Sequence, residues 1–530
     1  MKDPDPAAEE SPVVERPHRQ AVARLPEVVL VSAFLLSRGT AYLSGLRYDN
    51  SNLRADAWQL LDTHLLRTDL LSSVWHLHSQ PPLFNVLAGL LLQLPTGVAN
   101  GLLVLLWLAF GLATVLAAYY LQRALSLPVW AALGTTVVLV VASPAYLFHE
   151  NQFSYTYPTA MLLVVGSLLL IRYLRSWKTR YGLSAFACFS GVVLMNSHYQ
   201  GLWLVLVLVP LLALLRSQWR RLLIVALVPI LVVAAWYSKN ALMFGTATSS
   251  SWIGMNLAKG TLDKASASTL ERLVHDRTLT PIALITTFAP PTRYASTGFA
   301  QLPHTGVPAL DEISKKSGRT NFNNLIYVRV SNEYLHDDIA YIEARPGAYL
   351  ASVKVAGELW VTPPDQAFVG GNSAWQAVGP YAEFYDRYID VQPEIDRLSA
   401  IIALESSSTI PVDELSYTAL LSLLLSLVGL PILVWHRRRS DPTTAAFLGV
   451  MWVTITYGFL VSSLLELGEN DRFSFELGPL PVIAAVVVIA AVVRSIARTR
   501  REIVALPRSL QQSTSAERQA AHGERLPSAE

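Results

Sequence analysis

The chain of 530 residues holds a single cysteine, Cys188, which excludes an intrachain disulfide and any metal site built from paired thiolates. Charge is scarce as well. Asp, Glu, Lys and Arg make up 15% of the residues against 52% hydrophobic ones, too apolar for a water-soluble core of ordinary proportions. No repeat at a fixed period divides the sequence, and histidines never recur at i and i+4, the spacing with which one helix face grips a metal. Residues 1–26 contain no apolar stretch, so no signal peptide is visible there; their Pro-rich, mixed-charge composition reads as a disordered tail before an uncleaved first span.

What the chain has in abundance is long runs of Leu, Val and Ala. About ten apolar spans begin near Pro26, Gly97, Pro128, Pro158, Gly182, Gly201, Arg221, Leu415, Thr443 and Gly478. Most are long enough for a hydrocarbon core of about 30 Å. The pattern predicts an all-α polytopic membrane protein with lipid as its solvent. Basic clusters at Gln122-Arg123, Arg172 to Arg180, Arg216 to Arg221, His436 to Arg439 and Arg494 to Arg501 follow alternate spans. The positive-inside rule therefore puts these clusters, and with them both termini, in the cytoplasm. The apolar run from Pro81 to Pro95 is short for a crossing and suits an interfacial or re-entrant helix.

This topology divides the chain into a disordered cytoplasmic tail (1–26), an N-terminal transmembrane module (27–239) with an outer loop at 47–97, an extracytoplasmic region (240–414), C-terminal spans (415–497) and a second tail (498–530). The extracytoplasmic region lacks period-2 alternation, so it is expected to be mostly helical and irregular, with helix from Ser331 to Trp360 broken at Pro346.

The same topology gathers Asp49, Asp56, His76, His78, Gln80, His149, Glu150, Asn151, His198, Lys239 and the run Glu469 to Arg472 at the outer face, whereas the inner loops offer mainly Arg and Lys. Carboxylates, imidazoles and amides at one surface suit a polar substrate, although outer loops are often simply polar. A divalent-metal site is conceivable near these histidines, but their unpaired spacing gives it no support, and no cofactor is certain.

The first outer loop carries a resemblance. Asp56 follows the first span, and about 25 residues later Gln80-Pro81-Pro82-Leu83 opens a short helix. Near the last span stands Glu469-Asn470-Asp471-Arg472-Phe473, and Arg345-Pro346 lies within Tyr341 to Tyr349. This layout resembles the GT-C class of integral-membrane glycosyltransferases, which includes protein O-mannosyltransferases and lipid A aminoarabinose transferases. The resemblance implies transfer of a sugar from a polyprenyl-phosphate donor to an extracytoplasmic glycan, lipid or protein acceptor. Relatives often carry an acidic pair where Ala55 and Ala57 flank Asp56 here, which leaves Asp49 as a rival.

Such chemistry needs a carboxylate base for the acceptor hydroxyl, a role suited to Asp56, which equally suits the N-cap of a helix beginning at Ala57. The departing phosphate needs a cation, for which Arg38, Lys239 and Arg472 are the candidates. Arg38 falls in the outer half of the first span, where a charge is functional or else snorkels to the interface. Lys239 could instead anchor a helix end, and Arg472 could be neutralised by Glu469 or Asp471. Asp49, His76, His78, Gln80, His149, Glu150, Asn151, His198 and Glu469 are candidate substrate contacts. A transporter or flippase of a lipid-linked glycan is the competing expectation; it is disfavoured because the central spans are poor in ionisable groups.

Overall fold

The computed structural model describes residues 25–54, 57–294, 297, 304–363, 372–390 and 415–523. Among them, helix is the only extended regular structure; Asp49 with Gln152 and Ser314 with Thr320 form isolated bridges. The protein is an all-α polytopic membrane protein, as the apolar runs predict.

Each expected span corresponds to a helix, but not all are equally long. Six helices are long and apolar enough to cross: Thr96–Ala124, Thr156–Ser176, Arg216–Phe244, Tyr417–Arg437, Pro442–Leu465 and Leu480–Arg501. A bent helix pair, Val129–Val141 and Pro144–Glu150 meeting at 56°, has the length and composition of a seventh, broken span or of a re-entrant loop. Thr179–Met195 and Gly201–Leu214 are shorter apolar helices, and Leu25–Leu43 is a 19-residue helix carrying Arg38. A 14-residue helix such as Gly201–Leu214 reaches only about 21 Å, less than the hydrocarbon thickness. The run after Pro81 forms the short helix Pro82–Leu92, in keeping with a segment that does not cross.

Local chemistry sets these boundaries. Asp441 accepts a hydrogen bond from the Thr444 amide (3.0 Å) and Ser416 from the Ala419 amide (2.9 Å), each satisfying a donor at a helix start. Gly245, at φ 74°, closes the helix ending at Phe244 in the left-handed geometry that glycine tolerates. Small residues let the spans approach closely: a Cβ on Gly166 would stand 2.7 Å from Phe189 of the neighbouring helix.

A second core lies beyond one end of the bundle, where Trp252, Met255, Leu262, Ile282, Phe288, Phe322, Tyr327 and Tyr334 pack together. Helix Ile253–Ala258 crosses Ile326–Ala344 so tightly that a Cβ on Gly254 would overlap the Ser331 carbonyl. The expected break at Pro346 is present, with helices Ile326–Ala344 and Pro346–Trp360 flanking Arg345.

This second core grips the loop after the first helix. The Asn323 side-chain oxygen accepts from the His78 and Ser79 amides (3.0 and 3.1 Å), and its amide nitrogen donates to the His76 carbonyl (3.1 Å). Buried Lys315 donates to the Ala57 and Leu60 carbonyls (2.9 and 2.8 Å). Asp62 is buried: it caps Thr63–Thr68 through the His64 amide and accepts from the Lys316 amide, both contacts that water would otherwise supply.

Candidate active site

Five of the expected residues line two cavities at the same end of the bundle: Arg38, Glu150 and Asn151 the first, Glu469 and Arg472 the second. Residues 149–157 run between them, because the bridge of Asp49 with Gln152 fixes this stretch: the Asp49 amide donates to the Asn151 carbonyl and the Phe153 amide to the Asp49 carbonyl. Glu150 and Asn151 line one cavity, and Gln152 to Thr156 line the other.

The first cavity, about 280 Å³, has apolar walls from Leu35, Tyr42, Val104 and Leu108, with Arg38 and Glu150 set into them. Arg38 does not snorkel. Its Nη2 lies 2.6 Å from Glu150 Oε2, Nε bonds the same carboxylate, and Nη1 donates to the Val141 carbonyl at 2.6 Å. The Tyr157 hydroxyl adds a bond to Glu150 at 3.1 Å. Side-chain exposure is 7% for Arg38 and 1% for Glu150, so the pair is closed off. Gly111 makes room for it, since a Cβ there would come within 2.8 Å of the Glu150 carboxylate.

The bend between Val129–Val141 and Pro144–Glu150 explains why a charge is tolerated here. Its carbonyls lose their intrahelical donors at the turn toward Pro144. Arg38 and Ser37 donate to Val141, the Tyr385 hydroxyl to Val138 at 3.0 Å, and the Tyr381 hydroxyl to Ala142. Arg38 thus serves as a donor that satisfies an opened helix.

The second cavity, about 430 Å³, is lined by Ala57, Trp58, Gln59, Phe84, Tyr155, Thr156, Arg319, Glu469 and Arg472, among others. Arg472 lies on the short helix Asn470–Glu476, bonded to Glu469 through Nε at 3.0 Å and Nη2, to Glu476 at 3.3 Å and to Thr156 Oγ1 at 3.2 Å. Burial works against its charge, but Tyr155, Glu469 and Glu476 outweigh it, so its pKa is raised and the guanidinium stays charged. Among the described residues Arg319, on the tight turn closed by Gly318, has no carboxylate partner. Two guanidiniums, one carboxylate and aromatic faces thus meet in one cleft.

Behind Arg472 lies a buried polar network. Glu466 accepts from Lys259 at 2.7 Å and from His198 Nε2 at 3.2 Å, while His198 Nδ1 stands 4.0 Å from Glu476. Burial opposes ionisation of Glu466, yet Lys259 and His198 prevail and hold its carboxyl down to about 2. Glu476 is shifted upward by burial, against the pull of Arg472. The His198 ring centroid lies 3.7 Å from that of Phe473, and His149 stacks on Phe475 at 4.0 Å.

The other candidates lie apart. His78 is fully buried; its ring nitrogens meet Ser251 Oγ at 2.8 Å and the Asn323 carbonyl at 2.9 Å, and burial lowers its pKa to about 3. Gln80 is buried, and His76 turns Nδ1 back to the Ser72 carbonyl at 2.8 Å. Lys239 donates to the Leu77 carbonyl at 2.7 Å over the Trp236 ring, the arrangement of a helix anchor. Asp56 lies outside the described residues; Ala57, next to it in sequence, lines the Arg472 cleft. Sequence reasoning missed Arg319, Lys315, Lys259, Glu466 and Glu476. Only Glu476 had a local signal, its position one turn after Arg472.

No protein-family model matches the chain, and no curated protein matches it. Among solved structures it is similar to the archaeal oligosaccharyltransferase AglB from Archaeoglobus fulgidus, solved with an inhibitory peptide and a dolichol-phosphate, at a TM-score of 0.34 and 13% identity. The likeness covers 92% of this chain and 52% of the other, so the chain spans about half the length of that structure.

Proposed function

We propose that this protein is a membrane glycosyltransferase that moves a sugar from a polyprenyl-phosphate donor to a glycan, lipid or protein acceptor on the extracytoplasmic side, in the cleft around Arg472. The observation that carries this reading is the cleft's composition: charged Arg472 beside Arg319, with Trp58, Phe84 and Tyr155 as sugar-sized apolar faces, at the end of a lipid-embedded bundle. The orientation rests on the basic connections at the opposite end.

In this reading a carboxylate, Asp56, takes the proton from the acceptor hydroxyl as its oxygen bonds to the anomeric carbon. The bond from that carbon to the phosphate oxygen breaks, and polyprenyl phosphate leaves with its negative charge offset by Arg472. Glu469 and Glu476 hold the guanidinium in place, and its remaining donor capacity serves the phosphate. Arg38, paired with Glu150 and bonded to Val141, takes a structural part, as does Lys239.

The test is transfer of radiolabelled sugar from a short-chain polyprenyl-phosphate donor by the full chain in liposomes. Wild type should release polyprenyl phosphate, and Asp56→Asn should lose at least 100-fold in turnover, within the usual range for a general base. An unchanged rate would remove Asp56 from the mechanism. Translocation of the intact lipid-linked glycan without cleavage would make the protein a transporter.

A further inference from the structure

We infer that residues 372–390, within the stretch expected to be extracytoplasmic, descend into the outer leaflet and present a lipid-contacting face there. The segment consists of helix Asn372–Tyr385 and the π turn Asp386–Asp390. Ala374, Ala377, Val378, Tyr381, Ala382 and Tyr385 recur at three- and four-residue steps, the stripe of one helix face. That stripe packs on the bundle: Val378 and Ala382 share a core with Ala41, Leu46, Leu147 and Phe148.

The contacts along this stripe give its depth. Ala377 sits 3.6 Å from a Cβ built on Gly45, just past the outer end of the first helix. One turn on, Tyr381 donates to the Ala142 carbonyl; one further turn on, Tyr385 donates to Val138. Val138 is nine residues past the helix start at Val129, so it stands about 14 Å above that end. At its far end Asp390 accepts from Ser416 at 2.5 Å, beside the expected outer start of the helix Tyr417–Arg437, so the segment runs within the outer leaflet and stays near the headgroup level.

Among the described residues, nothing covers its opposite face. Phe384 and Tyr388 are 57% and 63% exposed, with ring centroids 4.9 Å apart. They continue the lipid-facing surface of the first helix, where Leu35, Leu36 and Leu43 are also exposed. Glu383 and Arg387, one turn apart on the same face, have side chains long enough to reach the headgroups. Aromatic rings mixed with such charges suit a lipid surface better than a protein partner, which would leave Glu383 and Arg387 to be desolvated. The partner is the outer-leaflet lipid itself, and the contact is independent of the proposed reaction.

The experiment places an environment-sensitive fluorophore at Phe384→Cys or Tyr388→Cys in full-length Cys188→Ala protein, reconstituted in phosphatidylcholine nanodiscs. His275→Cys, exposed on the second core, is the aqueous control. Doxyl groups on the lipid chains should quench both membrane positions at least twofold more than the control, and aqueous iodide should quench them at least twofold less. As a check free of substitutions, a lipid-soluble carbene reagent should label the peptide spanning 372–390 in the unmodified chain above the level of the peptide holding His275. Quenching by iodide at the control's level, or no carbene label in this peptide, would overturn the inference.

Discussion

Two buried arginines at the same end of the bundle, each paired with a carboxylate, face cavities of different lining. Arg38 is enclosed: a carboxylate from a different helix pairs with it, a carbonyl from the bent helix pair takes another donor, and Phe34 covers one face at 4.4 Å. Arg472 takes two of its three partners from its own short helix and the residue before it, and keeps a face toward a cleft wide enough for a sugar. The contrast teaches that a charge buried in a membrane protein is not by itself a site. What separates the two is what adjoins them: apolar walls beside Arg38, a second guanidinium, a carboxylate and aromatic faces beside Arg472.

That contrast can be broken in measurable ways. The harshest is Glu150→Leu, which strands Arg38 without its counter-charge and should cost about 3–5 kcal/mol of stability, read as a lowered melting temperature in nanodiscs. Pairing it with Arg38→Met should recover more than half of that loss without altering turnover per folded molecule; a folded but inactive double variant would end the distinction. Next, Arg472→Gln should reduce sugar transfer by about 100- to 1000-fold, the scale for removing a donor that meets developing charge, while most of the protein still folds. Lys315→Met should cost about 1–3 kcal/mol by leaving the Ala57 and Leu60 carbonyls unpaired, and should raise the KM by loosening one cleft wall.

The mildest test concerns the second core. Burial, with Asp337 and Asp263 adding to it against a bond from Thr261, raises the Asp338 carboxyl from 3.8 to about 8. A carboxyl raised on folding contributes stability that is complete below pH 3.8 and disappears as pH climbs through about 8. Wild type should therefore melt about 2–4 °C lower at pH 9 than at pH 7, and Asp338→Asn should flatten that slope. An unchanged slope would show that Asp338 ionises at its ordinary value.

Much of the helical layout was legible because apolar runs and proline positions are local signals: all ten expected span starts meet a helix, and the break at Pro346 was readable from one residue. The grouping of site residues was not. Arg38 and Glu150 are 112 residues apart, Lys259 and Glu466 are 207, and Lys315 is 258 from Ala57. No periodicity encodes such pairings, which depend on how the helices pack. His78 misled for a related reason: in sequence a histidine amid polar residues suggests a substrate contact, whereas here its ring nitrogens are occupied by Ser251 and Asn323.

The bent helix pair imposes an order on biosynthesis. Ser37 and Arg38 leave the ribosome before residues 138–142, so Val141 can be satisfied at once, but the hydroxyls that serve Val138 and Ala142 are translated some 240 residues later. Until Tyr381 and Tyr385 arrive, those two carbonyls stay unpaired within the bilayer or keep a chaperone or water beside them. A nascent chain halted before residue 372 would thus lack both donors, and the late helix closes this part of the bundle before the three C-terminal spans are made.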